Sequence, residues 1–126
     1  GRKAALKEDF HITSDRAFGW DQIYQAIAAA LGVEANLVHV PTDTLVRYRP
    51  DWVGPLKGDK SWTALFDNSK VKSVAGDFQC AEDLGTILEE PVLHARMRLD
   101  AGAPLATEIE PLIDRIAAEQ SALGRG

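Results

Sequence analysis

Apolar positions first fall into a regular rhythm at Trp20, Ile23, Tyr24, Ile27, Ala28 and Leu31. Their spacings of three and four residues place all six on one stripe of an α-helix. Gly19 stands at the predicted N-cap, Gln22 three residues later supplies half of a capping box, and Gly32 ends the helix. On this pattern Trp20 and Tyr24 belong to the core. Upstream, residues 1–9 are charged and poor in core material, which predicts a linker or a frayed helical end. Phe10 to Thr13 predicts a short strand, and Ser14-Asp15 opens a turn. Downstream, Leu37-Val38-His39-Val40 predicts a compact strand closed by Pro41, with His39 a core or edge residue. Thr42-Asp43-Thr44 offers an N-cap to about two helical turns ending at Tyr48. Pro50, Gly54 and Pro55 then predict a loop.

The loop leads into the stretch around which the rest is read, Gly58 to Lys72. It runs as a Gly58-Asp59-Lys60 turn, a strand from Thr63 to Phe66, a helix start at Asp67-Asn68-Ser69 and a short helix to Ala75, with Gly76 as C-cap. Lys57, Lys60, Lys70 and Lys72 crowd this stretch, as either a solvated lysine-bearing loop or a surface that meets an anionic ligand. Asp77 to Cys80 is an extended link. A helix follows from Ala81 to Glu90, which Pro91 either kinks or restarts, and Val92, Ala95 and Leu99 extend its stripe. Asp100 to Pro104 is linker-like. From Thr107 a last helix carries Ile109, Leu112, Ile113 and Ile116 on one face, with Pro111 in its first turn. The sum is an α/β fold of α+β-like character, a few short strands among three to five helices. Residues 1–100 form one region, and 101–126 form a linker and an amphipathic C-terminal helix.

Composition narrows the function classes. The chain has 126 residues and 13.7 kDa, the size of one small domain. Hydrophobic residues make up 45% and charged residues 26%, so a core needs no covalent staples. A net charge of −5 argues against a general nucleic-acid or anionic-membrane binder. No apolar run reaches membrane-spanning length and no signal peptide is visible, which makes the cytoplasm the expected compartment. The single cysteine, Cys80, excludes an internal disulfide and reads as a small buried hydrophobe. The start at Gly1-Arg2-Lys3 reads as an excised segment of a longer protein, a tag remnant before a complete small protein being the alternative.

Catalytic motifs are absent. His11, His39 and His94 form no metal-type pair, and no GxSxG elbow or GxxxxGK[ST] loop occurs. Neither GxGxxG nor Tyr-x-x-x-Lys is present: Tyr24 is followed four residues on by Ala28, and Tyr48 by Trp52. The paired acids Glu89-Glu90 and Glu108/Glu110 read as helix-surface carboxylates.

Three blocks in order nevertheless carry a resemblance. Phe10-His11-Ile12-Thr13-Ser14-Asp15 followed by Trp20 to Gly32 is similar to a strand–helix pair in the C-terminal half of extended short-chain dehydrogenases/reductases, the NAD-dependent epimerase/dehydratase family. Leu37 to Pro41 resembles the next strand. Gly58-Asp59-Lys60 through Asp67-Asn68-Ser69-Lys70 resembles the family's late Gly-Asp segment and Asp-x-Ser-Lys helix start. The resemblance covers roughly residues 10–85. It implies a C-terminal substrate-binding region acting on a small hydroxy or carbonyl compound or a nucleotide sugar. NAD or NADP would be held by a separate N-terminal Rossmann half and none by this segment. The substrate-facing positions it implies are Lys57, Asp59, Lys60 and Trp62, with no catalytic or metal-binding residue in the chain. Asp67, Asn68 and Ser69 are expected as caps. Partners would be the substrate, the Rossmann half and a second copy meeting through exposed apolar faces, without nucleic acid or membrane. The alternative is a free-standing, non-catalytic α/β interaction module.

Overall fold

The computed structural model describes residues 2–76, 78–104 and 108–123. The expectations placed on Gly1, Asp77 and Thr107 lie outside them. Among the described residues every regular element is helical: α1 (Trp20–Leu31), α2 (Thr42–Tyr48), α3 (Val53–Pro55), α4 (Ser69–Ala75), α5 (Leu84–Asp100) and α6 (Glu110–Leu123), joined by short tighter or wider turns. The α/β expectation is corrected by this result. The strands expected at Phe10–Thr13, Leu37–Val40 and Thr63–Phe66 are irregular, with no ladder or bridge among the described residues. The reason is physical. Local β-preference survives only where a neighbouring strand takes up the backbone N–H and C=O groups, and four-residue segments without such a neighbour stay open.

The chain divides into two compact units, Gly1–Ala35 with Ala64–Ala95, and Asn36–Thr63 with Arg96–Gly126. In the first, α1 has the expected bounds. Gln22 Oε1 accepts the Gly19 N–H at 2.9 Å, the half capping box foreseen from sequence. At the other end Gly32 takes φ +74°, a left-handed value that glycine reaches without a Cβ clash. Its N–H and that of Val33 close on the carbonyls of Ala29 and Ala28, each at 3.0 Å. The stripe is real but its cover is not as predicted. Ala28 is buried, whereas Trp20 and Tyr24 remain 60% and 53% exposed and lean on each other with ring centroids 6.3 Å apart. They are not core. Periodicity states which residues share a face, not what lies over that face.

α4 and α5 show capping chemistry. Asp67 Oδ1 accepts the Ser69 N–H at 2.8 Å, so Asp67 caps α4, and Gly76 closes it. Val71 on α4 is buried. Asp83 Oδ2 accepts the Thr86 N–H at 2.9 Å, starting α5 three residues later than the apolar pattern alone predicts. The helix then runs through Pro91, which neither ends nor restarts it. Cys80 is half-buried and His39 is exposed, so neither is a core residue.

In the second unit α2 begins at Thr42 itself, with Pro41 as N-cap. The loop expected after Tyr48 is instead a run of helical turns: a 3-10 turn Pro50–Trp52, then α3, then a π-helical turn Leu56–Lys60. Pro50 sits at the first position of its turn, where a missing N–H has no helical acceptor to lose. The Ser61 N–H reaches back to Leu56 O at 2.8 Å, the five-residue step that widens the turn. α6 carries Pro111 in its first turn, as expected, and its Ile116 is only 4% exposed.

Candidate functional site

The residues that the resemblance marks as substrate-facing sit on and just after the π-helical turn. Lys57 and Lys60 lie three residues apart on it, and each has a carboxylate in contact: Lys57 Nζ with Asp43 on α2, Lys60 Nζ with the adjacent Asp59. The Lys57 ammonium, first by its hydrogen bond and then by its charge, holds the Asp43 carboxyl below the usual range. A second tie joins α2 to the turn, a 3.2 Å contact between the Thr42 and Ser61 hydroxyls. Trp62 Nε1 donates to Lys57 O at 3.0 Å, which fixes the indole against the turn while the residue stays 73% exposed. The turn thus presents a pinned aromatic ring beside two lysines that already hold counter-ions. An anionic ligand here would share the two ammonium groups with Asp43 and Asp59 or compete with them. Lysine offers it a point charge rather than the planar fork of arginine.

Lys70 and Lys72 belong to the other unit. Lys70 Nζ donates to Glu8 Oε2 at 2.8 Å and to Asp9 O at 3.0 Å, and lies 5.1 Å from the Phe10 ring centre. Lys72 Nζ donates to Asp15 Oδ1. The same Asp15 oxygen accepts from Asn68 Nδ2 at 2.7 Å, and Asn68 Nδ2 also reaches Thr13 O at 2.9 Å. Asn68 is the one polar residue among the described that is buried, at 9% exposure. These contacts depress the Glu8 carboxyl through Lys70, and the Asp15 carboxyl through Lys72 and then Asn68. Of the three expected caps, Asp67 caps through its side chain. Asn68 occupies the N-cap position, but its amide ties down residues 13–15 instead.

The Asn68 node was not foreseen as a junction. Asp-Asn-Ser announces a helix start, but nothing near it announces a partner 55 residues away. A second unforeseen cluster lies on α2 and α6. The Tyr48 hydroxyl donates to Glu119 Oε2 and accepts from Gln120 Nε2 at 3.3 Å, and the Arg115 guanidinium stands 5.6 Å from the Tyr48 ring centre.

His11 lies edge-on to Phe66, ring centres 5.1 Å apart, and no group of three or more His, Cys, Asp or Glu among the described residues is arranged to hold a metal. At the starts of α1, α4 and α5 one backbone N–H each, of Gly19, Ser69 and Thr86, is taken up by a nearby side chain, Gln22, Asp67 and Asp83 respectively. No helix among the described residues is long and apolar enough to cross a membrane. Comparison with protein-family models, with curated proteins and with solved structures returns no match to this chain.

Proposed function

We propose that this chain is the helical substrate-covering region of an NAD(P)-dependent epimerase, dehydratase or reductase acting on a small hydroxy or carbonyl compound or a nucleotide sugar. One observation carries the reading. Two of the blocks that resemble this family, Phe10–Asp15 and Asp67–Lys70, meet at the buried Asn68 amide, which holds Thr13 and Asp15 at once. The contact brings two segments of the resemblance together within one unit, although Phe10–Thr13 is irregular rather than the strand that the resemblance implies. The reaction would be hydride transfer at a substrate carbon. The dinucleotide and the acid/base residues are assigned to a cofactor-binding half, because this chain carries neither a glycine-rich turn nor a Tyr-x-x-x-Lys pair. Lys57, Lys60 and Trp62 then face the substrate, and Asp59 and Asp43 hold the lysines until it arrives.

The coding region upstream of Gly1 tests this directly. A βαβ unit with a glycine-rich turn and a later Tyr-x-x-x-Lys is expected there, and turnover of such substrates by the full polypeptide. A start codon immediately before this segment, or tight dinucleotide binding by these 126 residues alone, would falsify it. The competing interaction-module reading draws on the exposed Trp20–Tyr24 pair and is favoured by the first of those outcomes.

A further inference from the structure

α6 carries nothing the resemblance accounts for, yet it holds the most buried side chain described, Ile116. Its polar residues 115, 119 and 120 all converge on one residue of α2, Tyr48. α2 in turn is tied at its other end to the π-helical turn, by Asp43 on Lys57 and Thr42 on Ser61. The contacts form one line within a single unit: α6, Tyr48, α2, then the turn bearing Lys57, Lys60 and Trp62. The helix between the two sets of contacts is seven residues long, about two turns.

We propose that α6 is the brace of this turn, with Tyr48 and Glu119 as positioning residues that act on Lys57 and Trp62 through α2. The tail is then part of the candidate site's machinery rather than an appendage. Removing the Tyr48–Glu119 hydrogen bond frees α2 to shift, and the Asp43–Lys57 and Thr42–Ser61 ties carry that shift into the turn. That the turn meets substrate rests on the function proposed above. The brace does not, so the two can fail separately.

The test uses the whole 126-residue chain with fluorotryptophan at Trp20, Trp52 and Trp62, read by fluorine NMR and by amide exchange. The Trp62 line is assigned by its loss in Trp62→Phe. In Tyr48→Phe the Trp62 line should move and amides 56–62 should exchange about five-fold faster, the change one ordinary hydrogen bond supports. The Trp20 line, in the other unit, should stay in place. Glu119→Ala should reproduce Tyr48→Phe, whereas Glu119→Gln, which keeps an oxygen to accept from the tyrosine, should match the parent chain. Three results overturn the proposal: a Trp62 line and turn exchange indifferent to Tyr48→Phe and Glu119→Ala, a Trp20 line that shifts with Trp62, or Glu119→Gln behaving as Glu119→Ala.

Discussion

Two residues, Asn68 and Tyr48, each join segments far apart in sequence, and they do so under opposite conditions. The Asn68 amide is buried and serves two acceptors in the first unit. Tyr48 is only half-buried, and in the second unit its hydroxyl meets the exposed Glu119 and the half-buried Gln120. A buried polar group stripped of its partner bears the full desolvation penalty, whereas one at the surface exchanges its partner for water. The first unit's junction is therefore a buried polar node, whereas the buried side chain described in the second unit is the apolar Ile116 on α6. The two junctions should differ several-fold in energy.

The largest effect is expected where apolar burial dominates. Ile116→Ala should cost about 3 kcal/mol, the transfer of the lost methylenes plus the cavity they leave. Amide exchange should locate that loss in residues 36–63 and 108–123, with the first unit little changed. If protection falls equally in both units, they unfold as one and the comparison collapses.

Asn68→Ala comes next. It leaves the Thr13 carbonyl and the Asp15 carboxylate without their amide and should cost about 2 kcal/mol by urea denaturation, read in the first unit. Asn68→Asp sharpens the point. It sets a carboxylate against Asp15 and against a carbonyl that needs a donor, so it should be worse than alanine despite near-identical shape. A milder aspartate would mean that volume, not hydrogen bonding, matters at this position.

These two residues also mark how far sequence reaches. Local signals were legible because their causes are local: the α1 stripe, the Gly32 and Gly76 ends, the helix start at Asp67 and the proline in the first turn of α6 all lie within a few residues of what they determine. Pairing was not. Lys70 and Glu8 are 62 positions apart, and Lys72 and Asp15 are 57 apart, so each lysine read as a free cation until the fold supplied its counter-ion. The strands failed for the same reason in reverse, since a strand needs a distant partner and none is present among the described residues. The prolines misled differently. Pro50 and Pro55 break a long helix, but Pro50 fits the first position of a 3-10 turn and Pro55 the junction between α3 and the π-helical turn, and short turns are what the chain builds there.

A smaller effect tests the local end of that argument. Gly32→Ala should cost about 1 kcal/mol, because a Cβ at φ +74° clashes with its own backbone. No neighbouring atom lies within 4 Å of that Cβ, so the cost is conformational alone. Thermal unfolding of Gly32→Ala beside Gly32→Asn checks this, since asparagine tolerates the left-handed region and should recover part of the loss.

The smallest effect is the most diagnostic of the two units, and it comes from acid. Glu8, Asp15, Asp67 and Asp83 in the first unit have carboxyls held below their ordinary range, by Lys70, by Lys72 and Asn68, by Ser69, and by Thr86 respectively. In the second unit the Asp43 carboxyl is held low in the same way, by Lys57. A carboxyl whose folded pKa is depressed binds protons more readily unfolded. Its contribution is present in full above the unfolded pKa of about 4 and is lost as pH falls through the lower folded value. The lysines stay charged throughout, so the loss is one-sided. Exposure keeps each contribution small and salt-sensitive. Lowering the pH below about 4 should accordingly speed amide exchange in α4 and in residues 8–15 before it does so in α2, and added salt should narrow the gap. Lys70→Gln with Lys72→Gln removes two of the first unit's partners and should shrink its acid response toward that of the second. If α2 opens first in acid, charge pairing does not distinguish the units, and the contrast rests on Asn68 and Ile116 alone.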